Sequence, residues 1–162
     1  LMMAPALPTL AKVTRVTVDG KPVKFTQAFY GANSACQFEA LLKRKTIIEI
    51  AFKDGIEFDA PTPPTQLGDR TTSLKVLEVS TPTTTRLSVK LEGLAGRVYL
   101  LRFRGGMSIV NAQGGTIKSD ENGWKLIEVL FPASDNTESY QTRQLELTLK
   151  ESGKVKESGK RK

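Results

Sequence analysis

The sequence predicts an all-β fold, a two-sheet antiparallel β-sandwich of the Ig-like or jelly-roll kind with about ten strands. Three observations predict it. Between Thr14 and Leu149, short runs alternate apolar and polar residues with the period of two that a half-buried strand requires. Gly, Pro, Asn and Asp clusters interrupt these runs at spacings of roughly 8–12 residues. Only one stretch carries apolar residues at helical spacing.

Thr14, Val16 and Val18 face one way and Arg15, Thr17 and Asp19 the other, and Asp19-Gly20 supplies the positive φ angles of a tight hairpin. Pro22 follows and has no N–H for a ladder, which assigns the returning segment (Val23, Phe25, Phe29) to a sheet edge or to a strand start. In Ser34–Leu42 a capping box at Ser34 to Gln37 and the spacing of Phe38, Leu41 and Leu42 suit a helix. Phe38, Ala40 and Leu42 also alternate, and a strand is favoured because Lys43-Arg44-Lys45 then turns into the next one. Thr46–Phe52 is apolar on most of both faces, the pattern of a central, deeply buried strand. Lys53-Asp54-Gly55 is expected to turn the chain before Ile56 and Phe58. Ala60–Leu67, with its prolines, reads as an extended surface crossing.

The second half keeps the pattern. Leu74–Val79 changes apolar parity between Val76 and Leu77, which predicts a bulge or burial on both faces. Arg86–Glu92 alternates without exception, with Leu87, Val89 and Leu91 inward. Arg97–Arg104, Met107–Asn111 and Trp124–Phe131 are separated by Gly105-Gly106, by Gly114-Gly115 and by the polar Ser119–Gly123 tip. Leu145, Leu147 and Leu149 form the last inward stripe.

The 162 residues and 39% apolar content suit one domain with a core between two sheets. The expected organisation is a connector from an upstream domain over 1–11, the β-sandwich over 12–150, and a disordered basic tail over 151–162. The net charge of +7 belongs mostly to that end, where Lys150–Lys162 holds six basic residues against two acidic ones. The tail repeats Glu-Ser-Gly-Lys and reads as a solvated terminus before it reads as a nucleic-acid arm. Lys43-Arg44-Lys45 has no interleaved aromatics of the kind a single-strand binding surface uses, so nucleic acid is not an expected partner. No apolar run is long enough to span a membrane, and Leu1–Pro8 lacks the basic n-region of a signal peptide. The lone Cys36 beside Ala35 and Phe38 reads as a small buried thiol.

Histidine is absent, which excludes Ser–His and Cys–His nucleophile pairs and His-based metal sites. Two-carboxylate glycoside chemistry stays open. Glu57, Asp59 and Glu92 take the outward phase of amphipathic strands as ordinary solvated charges, while Glu128 shares its phase with Trp124, Leu126 and Leu130 and belongs to a polar rim or a site. No catalytic residue and no metal ligand is assigned. Calcium is the one cofactor weighed: Ser119–Gly123 offers oxygens but lacks the EF-hand spacing, and Asp54 with Asp59, or Asp69, would need partners from elsewhere. Sugar recognition needs solvent-facing rings with polar neighbours. The candidates are Trp124, Tyr30 and Tyr140, with Asp120, Glu121, Asn122, Arg102 and Arg104 as companions.

Met3-Ala-Pro-Ala-Leu-Pro8, followed by a strand and Asp19-Gly-Lys-Pro-Val23, resembles the junction where (α/α)6-barrel glycoside hydrolases pass into a C-terminal β-sandwich. Leu91–Leu100 is similar in layout to accessory sandwich domains of bacterial glycan-degrading enzymes. The resemblance implies a non-catalytic accessory domain, secreted or periplasmic, whose partners are a polysaccharide or oligosaccharide and an upstream catalytic domain carrying the acids. The other readings are a stand-alone adhesin or interaction module for an acidic polymer and, last, a small two-carboxylate enzyme.

Overall fold

A computed structural model of the chain describes residues 1–30, 32–61, 72–135 and 139–151, with Tyr30 and residues 119–121 placed by backbone alone. The described residues form strands and no helix, and the alternation of the sequence is realised as antiparallel pairing throughout. β1 (Met2–Met3) and β2 (Ala6–Leu7) both pair with one edge of β6 (Asn33–Glu39), and β5 (Phe25–Tyr30) pairs with its other edge. The ambiguous stretch is therefore strand as far as Glu39, and Ala40–Leu42 lie beyond the strand. Residues 1–11, expected as a connector, are hydrogen-bonded into the body through these pairings and through the start of β3 (Thr9–Val18).

A six-stranded sheet is ordered β12 (Thr116–Glu121), β13 (Trp124–Leu130), β10 (Val98–Gly105), β7 (Ile48–Asp59), β3, β4 (Lys21–Pro22). A third sheet is ordered β11 (Met107–Gln113), β14 (Tyr140–Glu151), β9 (Arg86–Leu94), β8 (Lys75–Thr83). These two make the expected sandwich. Leu87, Val89, Leu91, Leu145 and Leu147 from one sheet close against Ile56, Leu101, Phe103, Ile127 and Val129 from the other, all essentially inaccessible. The small sheet adds a second core, in which Cys36, Phe38 and Ala40 pack on Val16 with Val13, Val18, Ile48 and Ile50 at the margin.

Asp19-Gly20 is a two-residue turn with φ of 49° and 75°, and β4, with Pro22, is the edge of its sheet. β8 carries a register shift between Val76 and Glu78, the bulge that the parity change predicts. Lys53-Asp54-Gly55 does not turn the chain. β7 continues through it without a break, and the positive φ of Asp54 and Gly55, opposite that of Leu10 in β3, carries the paired strands from one core into the other as a bend. The approach there is close: a Cβ on Gly55 would lie 3.1 Å from that of Ala11.

The bend also corrects the burial expected of Thr46–Phe52. β10 pairs only with the second half of β7, from Ile56 to Asp59, so Ile48–Phe52 has β3 on one side and an open edge on the other. Ile48 and Ile50 are half-buried and Phe52 is exposed. Two glycine pairs hand β11 from sheet to sheet. At Gly105-Gly106 the chain leaves the six-stranded sheet, with the Gly106 N–H on the Gly55 carbonyl at 3.0 Å, and at Gly114-Gly115 it returns.

Candidate functional site

The outer face of the six-stranded sheet, around the start of β13, collects the largest set of the expected residues. Asn122-Gly123, with φ of 50° and 79°, is a two-residue turn that brings Trp124 opposite Glu121. The register of β10 with β13 sets Arg102 opposite Leu126, which places Arg104 level with Trp124. The register of β10 with β7 sets Asp59 opposite Arg102 and Glu57 opposite Arg104. Residues directly opposite in an antiparallel pair share a face. Trp124, Arg104 and Glu57 therefore form one row across three strands, and Leu126, Arg102 and Asp59 form the next.

The side chains lock that arrangement. The Arg104 guanidinium carbon lies 4.5 Å from the Trp124 ring centre and that of Arg102 lies 5.2 Å from it, both within cation–π range. Arg104 Nε donates to Glu57 Oε2 at 2.7 Å, and Arg102 Nη2 donates to Asp59 Oδ2. These pairs are roughly half-exposed, so they contribute at most about 1 kcal/mol each to stability, and their effect is to orient donors and acceptors beside the ring. One row further, Glu128 lies opposite Leu100 and pairs with Lys118 at 3.4 Å. Beyond it the face turns apolar, with Val98, Leu100 and Leu130 exposed. Beside Glu57 and Arg104, a hollow of about 230 Å³ is walled by Pro8, Phe52, Gly105 and Gly106.

Of the other residues singled out by the sequence, Asn122 sits exposed in the turn and Asp120 is placed opposite Lys125 by backbone pairing, its side chain not described. Tyr140 lies elsewhere. It opens β14 opposite Leu94 in the other sheet, where the Lys75 ammonium is 4.3 Å from its ring and is itself held by Glu92 at 2.7 Å. Tyr30 ends β5 opposite Asn33 in the small sheet, its side chain not described. The three rings thus lie on three different sheets. Glu57 and Asp59, expected as plain solvated charges, are ion-paired with Arg104 and Arg102, and the signal for this pairing is equal spacing, since Glu57-Phe-Asp59 and Arg102-Phe-Arg104 both present charges at i and i+2.

For the cation question, Asp54 is held by Lys12 at 3.2 Å and Asp59 by Arg102, Asp69 lies outside the described residues, and no group of three or more metal-ligating side chains occurs among the described residues. Burial raises the Cys36 thiol above its ordinary range. Residues 152–162, most of the expected tail, also lie outside the described residues, while Glu151 belongs to β14 and meets Lys12 at 3.3 Å. No helix among the described residues is long and apolar enough to cross a membrane. No family model, curated protein or solved structure matches the chain.

Proposed function

We propose that this chain is a non-catalytic accessory β-sandwich of a secreted or periplasmic glycan-active protein, holding a saccharide weakly at Trp124 or packing on a neighbouring catalytic domain through the same face. The observation that carries the reading is the Trp124 row. A partly buried indole stands beside two guanidinium–carboxylate pairs whose geometry is fixed by the β-ladder. An aromatic plate offers dispersion contact to the C–H face of a pyranose, and flanking charged groups offer hydrogen bonds to hydroxyls at set positions. The Phe52 hollow beside Glu57 extends the surface along the face. The apolar end of the face, at Val98, Leu100 and Leu130, supports the packing half of the reading.

The paired charges favour a neutral ligand. Each arginine on the face already has its carboxylate, so an acidic polymer would have to displace Glu57 or Asp59. A screen against soluble polysaccharides tests this with three proteins: the full chain, Trp124→Ala, and a chain ending at Glu151. Binding lost in Trp124→Ala but kept in the shortened chain and in about 0.5 M salt, where the Debye length falls to about 4 Å, supports the sugar module. Binding abolished by salt and by shortening supports the module for acidic polymers. Absence of binding by the full chain overturns the sugar half.

A further inference from the structure

The open half of β7 has the features of a self-pairing edge. Asp19 N–H bonds the Ile47 carbonyl at 2.8 Å and Thr14 Oγ1 bonds the Ala51 carbonyl at 3.1 Å, so residues 47 and 51 point their backbone groups toward β3. Alternate residues of a strand point opposite ways in the ladder direction. Ile48, Ile50 and Phe52 consequently direct their N–H and C=O groups away from β3, and β10, which joins β7 only from Ile56, supplies no partner there. No described residue bonds these groups. An unpaired strand edge of this kind is a template for another strand.

The side chains specify which strand. In Ile48-Glu-Ile-Ala-Phe-Lys53, Glu49 and Lys53 are equidistant from Ala51 and of opposite sign. Laid antiparallel against its own copy with Ala51 on the two-fold axis, the strand sets Glu49 opposite Lys53 twice and Ile50 opposite Phe52 twice. Like charges would face each other if the register slipped to bring Lys53 against Lys53. The Ile50–Phe52 pairs take the hydrogen-bonding positions, and the Ala51–Ala51 pair takes the closer, non-bonded position, where a methyl group fits. Glu49 is already oriented by Thr17 Oγ1 at 3.0 Å, and Phe52 and Lys53 are exposed. The bend at Asp54-Gly55 limits the ladder to these residues. We infer that the Glu49–Lys53 edge of β7 is an interaction surface for a second copy of this chain, forming a two-fold antiparallel strand pair centred on Ala51.

The full chain in sedimentation velocity over a wide concentration series should show a reversible monomer–dimer equilibrium. Glu49→Lys, like Lys53→Glu, should weaken the dimer at least tenfold, and the double variant carrying both changes should restore it. Both substituted residues, Glu49 and Lys53, are exposed, so folding is checked by an unchanged circular dichroism spectrum. Hydrogen exchange should slow at the Ile50 and Phe52 amides as concentration rises. A chain that stays monomeric at every concentration, a dimer indifferent to the single charge changes, or amide protection independent of concentration, which would mean that another part of the chain covers the edge, overturns the inference.

Discussion

Arg104 stacks its guanidinium 4.5 Å from the centre of the Trp124 ring and at the same time donates Nε to Glu57. The carboxylate anchors the cation, and the cation covers part of the indole. Any ligand using the ring must take the remaining surface or move Arg104, so the guanidinium acts as a gauge of how open the plate is.

Replacing Arg104 by alanine should therefore uncover the indole. Trp124 is the only tryptophan, so its fluorescence reports the change directly. A red-shifted emission maximum and faster acrylamide quenching are expected, with stability lowered by only about 1 kcal/mol because the pair is half-exposed. Unchanged quenching would mean that the ring is already open in solution.

Core substitutions should separate the larger core from the smaller one. Leu147→Ala, in the fully buried sandwich core, should lose about 2–5 kcal/mol. Ile50→Ala should lose about 1–2 kcal/mol, because its side chain is half-buried at the margin of the smaller core and its strand is an edge there. Urea denaturation of both variants gives the comparison, and equal losses would return Ile50 to a central position.

Gly105→Ala should destabilise by more than about 1 kcal/mol without touching the hydrophobic core. Gly105 has φ of 150°, and a Cβ there would run into the Gly55 carbonyl and lie 2.9 Å from the Ile56 Cα, which are backbone atoms with nowhere to go. Gly20→Ala is the control, since a Cβ there meets nothing within 4 Å and its cost is that of a positive φ alone. The Gly105 variant should have the lower melting temperature of the two.

Alkaline pH should weaken the fold. Lys75 is raised above 10.5 chiefly by its hydrogen bond to Glu92, Lys12 chiefly by its hydrogen bond to Asp54, and Cys36 is raised by burial. In each case the native state holds its proton to higher pH than the unfolded chain does, so the stabilisation is complete below the unfolded pKa and is lost as pH rises through the folded one. Denaturation midpoints should fall from the thiol range upward, and a thiol reagent should modify Cys36 at pH 8 at a rate set by unfolding. Rapid labelling of the native protein would contradict the burial of that side chain.

The sandwich is legible because period-two alternation maps directly onto two faces: Leu87, Val89 and Leu91 take the inward phase of their strand and are fully buried. Asp19-Gly20 was equally legible, since a two-residue turn needs positive φ at both positions and few residues supply it. Lys53-Asp54-Gly55 offers the same turn chemistry yet bends a continuous strand, because what decides between a hairpin and a bend is whether β3 continues alongside, a long-range fact. The same limit governs the site. Trp124 can be named from its place after the polar Ser119–Gly123 tip, with Arg102 and Arg104 as polar companions, but the pairing of Glu57 and Asp59 with them enters only through the register of β7 on β10, a separation of 43 residues between Asp59 and Arg102.

The bend in β3 and β7 has a mechanical consequence. Ile56 is rooted in the larger core and Ile50 at the margin of the smaller one, on a single uninterrupted strand. The two cores therefore have no seam between them: neither can be peeled off at a hinge, and loosening either one pulls on the ladder that supports the other.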